Sequence, residues 1–194
     1  MALNLIKAGY SIHLLESSGS AKELIDAGGM AHSSCKILAR ECDVVITMLP
    51  DSPEVESVVL GKDGVIEGIQ SGSIFVDMST IAPATAKQLY GHLKKQGVEA
   101  LDAPVSGGEL GAISGSLSIM VGGNDLAFQK ILPLFNVVGK SAILIGDAGA
   151  GQLTKACNQM IVGMTIQAVA ESFVLAKKAK VDLVKMREAL LGGF

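Results

Sequence analysis

The residue with most chemical potential is Lys155, because Asn158 and Gln159 follow it by three and four positions. Positions i, i+3 and i+4 share one face of a helix, so an ammonium and two amides would point the same way from the start of a helix. A lysine there can give a proton to a carbonyl oxygen, and burial would lower its pKa toward that task. Spacing alone favours the plainer reading of a solvated helix lysine, since lysines are mostly exposed.

Three further groups of residues could hold a ligand. The run DAPVSGG, Asp102 to Gly108, puts Ser106, Gly107 and Gly108 just after a strand end. Backbone amides of glycines approach a ligand closely, and a serine hydroxyl beside them suits capture of a carboxylate; a flexible glycine loop is the equal alternative. Asp77-Met78-Ser79-Thr80 ends one apolar run and Met48-Leu49-Pro50 ends another. The carboxyl ends of parallel strands line the ligand crevice of such sheets, which makes Thr80, Met48, Leu49 and Pro50 cofactor-side candidates, with helix capping as the alternative for Ser79 and Thr80. Glu16 closes the first strand-like run; an acid there accepts bonds from ribose hydroxyls and repels a 2′-phosphate, favouring NAD over NADP, unless it is simply an exposed strand-end acid.

The elements that must position these residues alternate. Strand-like runs at Ser11–Leu15, Asp43–Met48, Ser73–Val76 and Glu99–Leu101 are interleaved with helix-like segments at Gly19–Ala27 and Pro83–Gln96. Parallel neighbours need crossover helices, so the expected class is α/β, with a doubly wound, mostly parallel sheet. Ser116–Val121 and Ala142–Ile145 flank a helix over Asn124–Val138 and extend the sheet. From Gly149 to about Lys180 one long helix follows, then a second over Leu183–Leu191. The boundary falls near Asp147, giving a sheet domain over 1–147 and the start of an all-helical domain over 148–194. The first residues, MALNLIKAGY, already read as helix, so the sheet is expected to lack its first, central strand.

Composition narrows the function. The 194 residues are 49% apolar and 4% aromatic, with 23 glycines, material for an aliphatic core around many turns. A net charge of −3 without a basic cluster argues against nucleic acid. Asn158, Gln159 and Gln167 interrupt the longest uncharged apolar stretch, Ala156–Ala170, which falls short of a membrane span. Cys35, Cys42 and Cys157 form no CxxC pair, and His13, His32 and His92 have no ligand spacing, so no metal site is expected. With no leader-like start, the cytoplasm is the expected compartment. Apolar helix faces that two helices alone cannot enclose call for more helices or a partner subunit, and a homo-oligomer is the expected assembly.

Taken together, LDAPVSGGELGAISGSLSIMVGG, GAGQLTKACNQM, DMSTIAP and ITMLPDSPEVESVV resemble the 3-hydroxyisobutyrate dehydrogenase family of β-hydroxyacid dehydrogenases, relatives of 6-phosphogluconate dehydrogenase. The motifs are long, in order and spread over the whole chain. The resemblance implies a Rossmann-like fold, an NAD or NADP cofactor and a small carboxylate substrate of the 3-hydroxyisobutyrate or tartronate semialdehyde type. It implies Lys155 as general acid/base, Ser106, Gly107 and Gly108 holding the carboxylate, and Asn158 and Gln159 near the substrate. Glu16 would meet the adenosine ribose, Thr80 the nicotinamide end, and Met48, Leu49 and Pro50 the cofactor nearby. The family's GxGxxG turn, expected just ahead of Met1, is not in this sequence, nor is the rest of its helical domain. A non-catalytic binding or dimerisation module is therefore the competing expectation.

Overall fold

A computed structural model of the chain describes residues 1–193. It forms two compact units, Met1–Lys155 and Ala156–Phe194. In the first unit the chain runs through α1 (Ala2–Lys7), β1 (His13–Leu15), α2 (Ala21–Asp26), β2 (Met30–His32), α3 (Cys35–Arg40), β3 (Val44–Thr47), α4 (Ser52–Leu60), β4 (Ile74–Asp77) and α5 (Pro83–Lys94). It continues through β5 (Glu99–Asp102), β6 (Val105–Ser106), α6 (Gly108–Ser114), β7 (Leu117–Gly123), α7 (Asp125–Val138) and β8 (Gly139–Gly146) into α8 (Ala150–Lys178). The second unit holds the remainder of α8 and α9 (Leu183–Gly193).

β3, β4 and β5 are parallel neighbours, with Val44 opposite Ile74 and Ile74 opposite Glu99. β7 runs antiparallel beside β5, β6 pairs antiparallel with β7, and β8 lies parallel to β7. The expected α/β, mostly parallel Rossmann-like sheet is thus present. Among the described residues β1 and β2 form a separate parallel pair that makes no ladder with β3.

Burial on both faces explains the continuous apolar strands. β4 (IFVD) is buried at all four positions. Ile74 and Val76 face Leu5, Ile131 and Phe135 on one side, while Phe75 faces Val55, Val59, Leu89 and Leu93 on the other. Side chains alternate along a strand, so α1 and α7 cover one face and α3, α4 and α5 the opposite one. A smaller cluster of Leu14, Ala21 and Leu24 anchors β1.

Several short elements had no periodic signal. α3 starts at Ser34, whose hydroxyl accepts the Ile37 amide at 3.3 Å, and α4 at Asp51, whose carboxylate accepts the Ser52 amide at 2.7 Å. The glycine run after Ser106 is ordered into α6 rather than left as a flexible loop.

The opening turns of α8, as far as Lys155, belong to the first compact unit and are bonded to the strand ends. In the second unit Asp182 caps α9 through the amides of Val184 at 3.0 Å and Lys185 at 3.2 Å. Its large apolar residues, including Ile161, Met164, Leu175 and Leu190, are exposed. By length and composition α8 does suffice to cross a bilayer, with a mean hydropathy of 1.4 over its most apolar window. This corrects the expected shortfall: the Ile, Val, Met and Ala around Asn158, Gln159 and Gln167 outweigh those three amides.

Candidate active site at the strand ends

Two aspartates occupy adjacent positions at the carboxyl ends of β4 and β5, Asp77 opposite Asp102. Asp102 receives the start of α8. Its Oδ1 accepts the Gly149 amide at 2.6 Å and its Oδ2 the Gln152 amide at 2.8 Å. Helix starts leave amides without partners inside the helix, and here a strand-end carboxylate satisfies two of them.

Gln152 locks the second strand end. Its side-chain Nε2 donates to Ser79 O at 2.8 Å, and its Oε1 accepts the Ile81 amide at 3.1 Å; only 1% of the residue is exposed. Gly151 lies between these ties, and no Cβ fits there: it would stand 2.4 Å from Met120 O and 2.6 Å from Asp102 O. The GAGQ sequence therefore lets α8 approach the sheet at backbone contact.

This seating decides where Lys155 points. It follows Gly151 by four residues and Gln152 by three, so it lies on the helix face turned toward the strand ends. Lys155 is 8% exposed, and among the described residues no carboxylate lies within ion-pair distance of it. Burial alone lowers its pKa from the usual lysine value. Such an amine changes protonation state more readily than a solvated lysine.

The serine-glycine turn leaves the same end of the sheet. Ser106 pairs with Ser118 on β7, and Pro104 O accepts the amide of Met120, the residue whose own carbonyl backs Gly151. Gly107 has φ 133° and Gly108 φ 63°, a left-handed pair that requires glycine, and both are exposed. Ser106 is half-buried.

The remaining candidates fall into two groups. Glu16, Met48, Pro50 and Thr80 are exposed at strand ends, Met48 by 55%, and Leu49 is half-buried. Ser79, weighed beside Thr80 as a ligand contact, is instead fully buried and its hydroxyl accepts the Leu49 amide at 2.9 Å. Asn158 and Gln159 lie in the second unit, half-buried and exposed, with the Asn158 amide donating to Gln159 Oε1 at 3.1 Å.

Sequence reasoning missed Asp77, Asp102 and Gln152. Asp77 Oδ1 accepts Thr47 Oγ1 at 2.8 Å and the Ser79 amide at 3.2 Å, while its Oδ2 is buried with no partner. Burial raises the pKa of both acids; for Asp102 the helix amides oppose that rise and the Asp77 charge adds to it. The available signal was polarity at the end of an apolar strand, in IFVD and EALD.

An open-sheet α/β unit with exposed strand ends, a glycine turn and a buried lysine defines a dinucleotide-fold domain of the oxidoreductase type. Residues 1–146 match the family described as the NAD binding domain of 6-phosphogluconate dehydrogenase, and residues 149–194 that described as the NAD-binding of NADP-dependent 3-hydroxyisobutyrate dehydrogenase. The chain belongs to this 6-phosphogluconate and 3-hydroxyisobutyrate dehydrogenase family. It is 41% identical to the 2-hydroxy-3-oxopropionate reductase of Escherichia coli over 194 residues, which is 100% of this chain and 66% of that protein. It is 40% identical to the NAD-dependent L-serine dehydrogenase of Pseudomonas aeruginosa, over 90% of this chain and 59% of that one. The solved 3-hydroxyisobutyrate dehydrogenase of Mycobacterium tuberculosis with L-serine superposes with a TM-score of 0.90 at 32% identity, covering 98% of this chain and 65% of that one. The chain thus spans about two thirds or less of the length of these relatives.

Proposed function

We propose that this chain carries the cofactor cleft and proton-transfer lysine of an NAD(P)-dependent 3-hydroxyacid dehydrogenase, acting on a small hydroxyacid or its semialdehyde. The observation that carries the reading is the buried Lys155 on the helix face that Asp102 and Gln152 hold against the strand ends. Family membership and the named relatives support the same chemistry.

The residues present fit the two ends of a dinucleotide. Exposed Glu16 at the end of β1 suits ribose hydroxyls, and exposed Met48, Pro50 and Thr80 with half-buried Leu49 suit the nicotinamide half. The bound cofactor would accept or donate the hydride. Ser106 and the amides of Gly107 and Gly108 bind the substrate carboxylate, and Lys155 holds or takes the hydroxyl proton. Glu16 favours NAD over NADP.

We place the protein in the cytoplasm as a self-associating chain without nucleic acid or membrane partners; the exposed apolar residues of α8 and α9 serve contact between copies. Titration with NADH and NADPH, followed by nicotinamide fluorescence, tests the reading. Saturable binding supports it. Flat curves for both cofactors from a folded sample would instead favour a non-catalytic binding module.

A further inference from the structure

Gln152 bonds to the segment after β4 as the peptide group of a neighbouring strand would. In a parallel ladder a residue donates to the carbonyl ahead of its partner and accepts the amide behind it. The side-chain amide of Gln152 does the same around Thr80, with Nε2 donating to Ser79 O at 2.8 Å and Oε1 accepting the Ile81 amide at 3.1 Å. Gln152, Ser79 and Ile81 are all buried. The chain is therefore gripped on both sides of Thr80, whose own side chain is left exposed.

The same residue stands one helical turn ahead of Lys155, on the same face of α8. With no carboxylate within ion-pair distance, the amine takes its place from the helix that carries it. Asp102 fixes that helix to β5, and among the described residues Gln152 alone bonds it to the segment after β4. Ser79 carries the tie further, since its hydroxyl accepts the Leu49 amide at 2.9 Å and its own amide donates to Asp77 Oδ1 at 3.2 Å. The loops after β3 and β4 and the first turns of α8 thus form one bonded unit, with Gln152 at the junction.

We propose that Gln152 is a positioning residue of the reaction: its side-chain amide sets the spacing between the Lys155 amine and the segment around Thr80, so that proton and hydride transfer stay in register. The inference rests on the dehydrogenase reading for the identity of the reaction, and on the bonds alone for the clamp. Two substitutions separate bonding from packing. Gln152→Met keeps an unbranched chain of similar size and leaves Ser79 O and the Ile81 amide without their partner. Gln152→Glu keeps the shape: as a neutral acid it donates to Ser79 O and accepts from Ile81, and as a carboxylate it sets a second acceptor against Ser79 O. The glutamate clamp is therefore made in acid and lost in base, a dependence that a residue serving only volume would not show. The titratable groups on the packed elements, Asp77, Asp102 and Lys155, are common to the parent and both variants.

The test follows single-turnover oxidation of NADH by tartronate semialdehyde on the full chain, together with the Lys155 ammonium by 15N NMR and hydrogen exchange at the Ile81 amide. Gln152→Met should lose at least about tenfold in rate, because small misplacements of reacting groups are costly, while the Kd for NADH stays within about twofold. Gln152→Glu should approach the parent rate near about pH 5, where burial keeps the acid neutral, and fall to the level of the Met variant by about pH 8. In the Met variant Lys155 should titrate closer to the ordinary lysine value, and the Ile81 amide should exchange at least about tenfold faster. An unchanged rate in the folded Met variant overturns the proposal, as does a Glu variant with the pH profile of the parent. The Glu variant in acid, with both bonds made, decides the matter if the Met variant does not fold. A parent without turnover would sink the dehydrogenase reading, and the clamp is then judged without activity: equal Lys155 titration and Ile81 exchange in parent and variants overturn it, and the expected shifts sustain it.

Discussion

Asp102 accepts the backbone amide of Gln152 at 2.8 Å across 50 residues of sequence, and so a strand caps the helix that carries Lys155. A capping residue normally sits beside its own helix; this one ties two elements together. Asp102→Ala leaves the amides of Gly149 and Gln152 without their acceptor in a buried place, and the expected loss is about 2–4 kcal/mol. Asp102→Asn retains one acceptor and should fall between. Urea denaturation measures both, and a midpoint unchanged in the alanine variant would mean that packing alone seats the helix.

Asp77 predicts a pH dependence of opposite sign to that of an ion-paired acid. Burial raises its folded pKa, so between the ordinary carboxylate value and the raised one the folded chain binds more protons than the unfolded chain. Stability therefore falls as pH rises through that window, and the full penalty remains at neutral pH. Asp102 contributes with the same sign. Asp77→Asn keeps the acceptor used by Thr47 and Ser79 and removes the charge. Its midpoint in urea should change less between about pH 4 and pH 7 than that of the parent; equal slopes would count against a charged Asp77 at neutral pH.

Lys155→Ala should lower turnover by a factor of about 10² to 10⁴, the usual worth of a positioned acid or base, with cofactor affinity nearly unchanged. Because burial lowers the folded pKa, carbonyl reduction by the parent should decline along an alkaline limb set below the ordinary lysine value. Stopped-flow rates across pH report the limb, and retained turnover in the alanine variant removes Lys155 from the chemistry.

Glu16→Ala should narrow the preference for NAD over NADP. The exposed carboxylate ends β1, where its charge would oppose a 2′-phosphate. The ratio of kcat/KM for the two cofactors is the measurement, and an unaltered ratio assigns selectivity elsewhere.

Two glycines of one helix should respond oppositely to alanine. Gly151→Ala drives a Cβ into Met120 O and Asp102 O and should unseat the start of α8, whereas nothing lies within 4 Å of a Cβ at Gly163. Gly163→Ala is expected to gain up to about 1 kcal/mol from helix propensity. Thermal melts of the two variants should move in opposite directions, and a stabilised Gly151→Ala would disprove the close approach.

The long elements were legible because their signals are periodic or continuous: β3 reads VVIT, β4 IFVD, and α7 carries Phe128, Ile131 and Phe135 toward one core. α3, α4 and α6 were not, since each is short and begins on a local cap or inside a glycine run. Lys155 and the Ser106–Gly108 turn stood out through motif resemblance. Gln152 did not, although it is among the most buried side chains, because its partners Ser79 and Ile81 lie more than 70 positions away and no spacing rule links them. Asp102 was read only as the start of a glycine motif, and its cap on a distant helix becomes visible only in three dimensions.

The buried ammonium of Lys155 belongs, by its packing, to the sheet unit that ends there, while most of α8 beyond it, with Ile161, Met164 and Leu175, is exposed. If the proposed proton transfer and self-association hold, they draw on separate stretches of a single helix. Selection could remodel quaternary partnership along α8 and α9 residue by residue without disturbing the bonds that aim the amine.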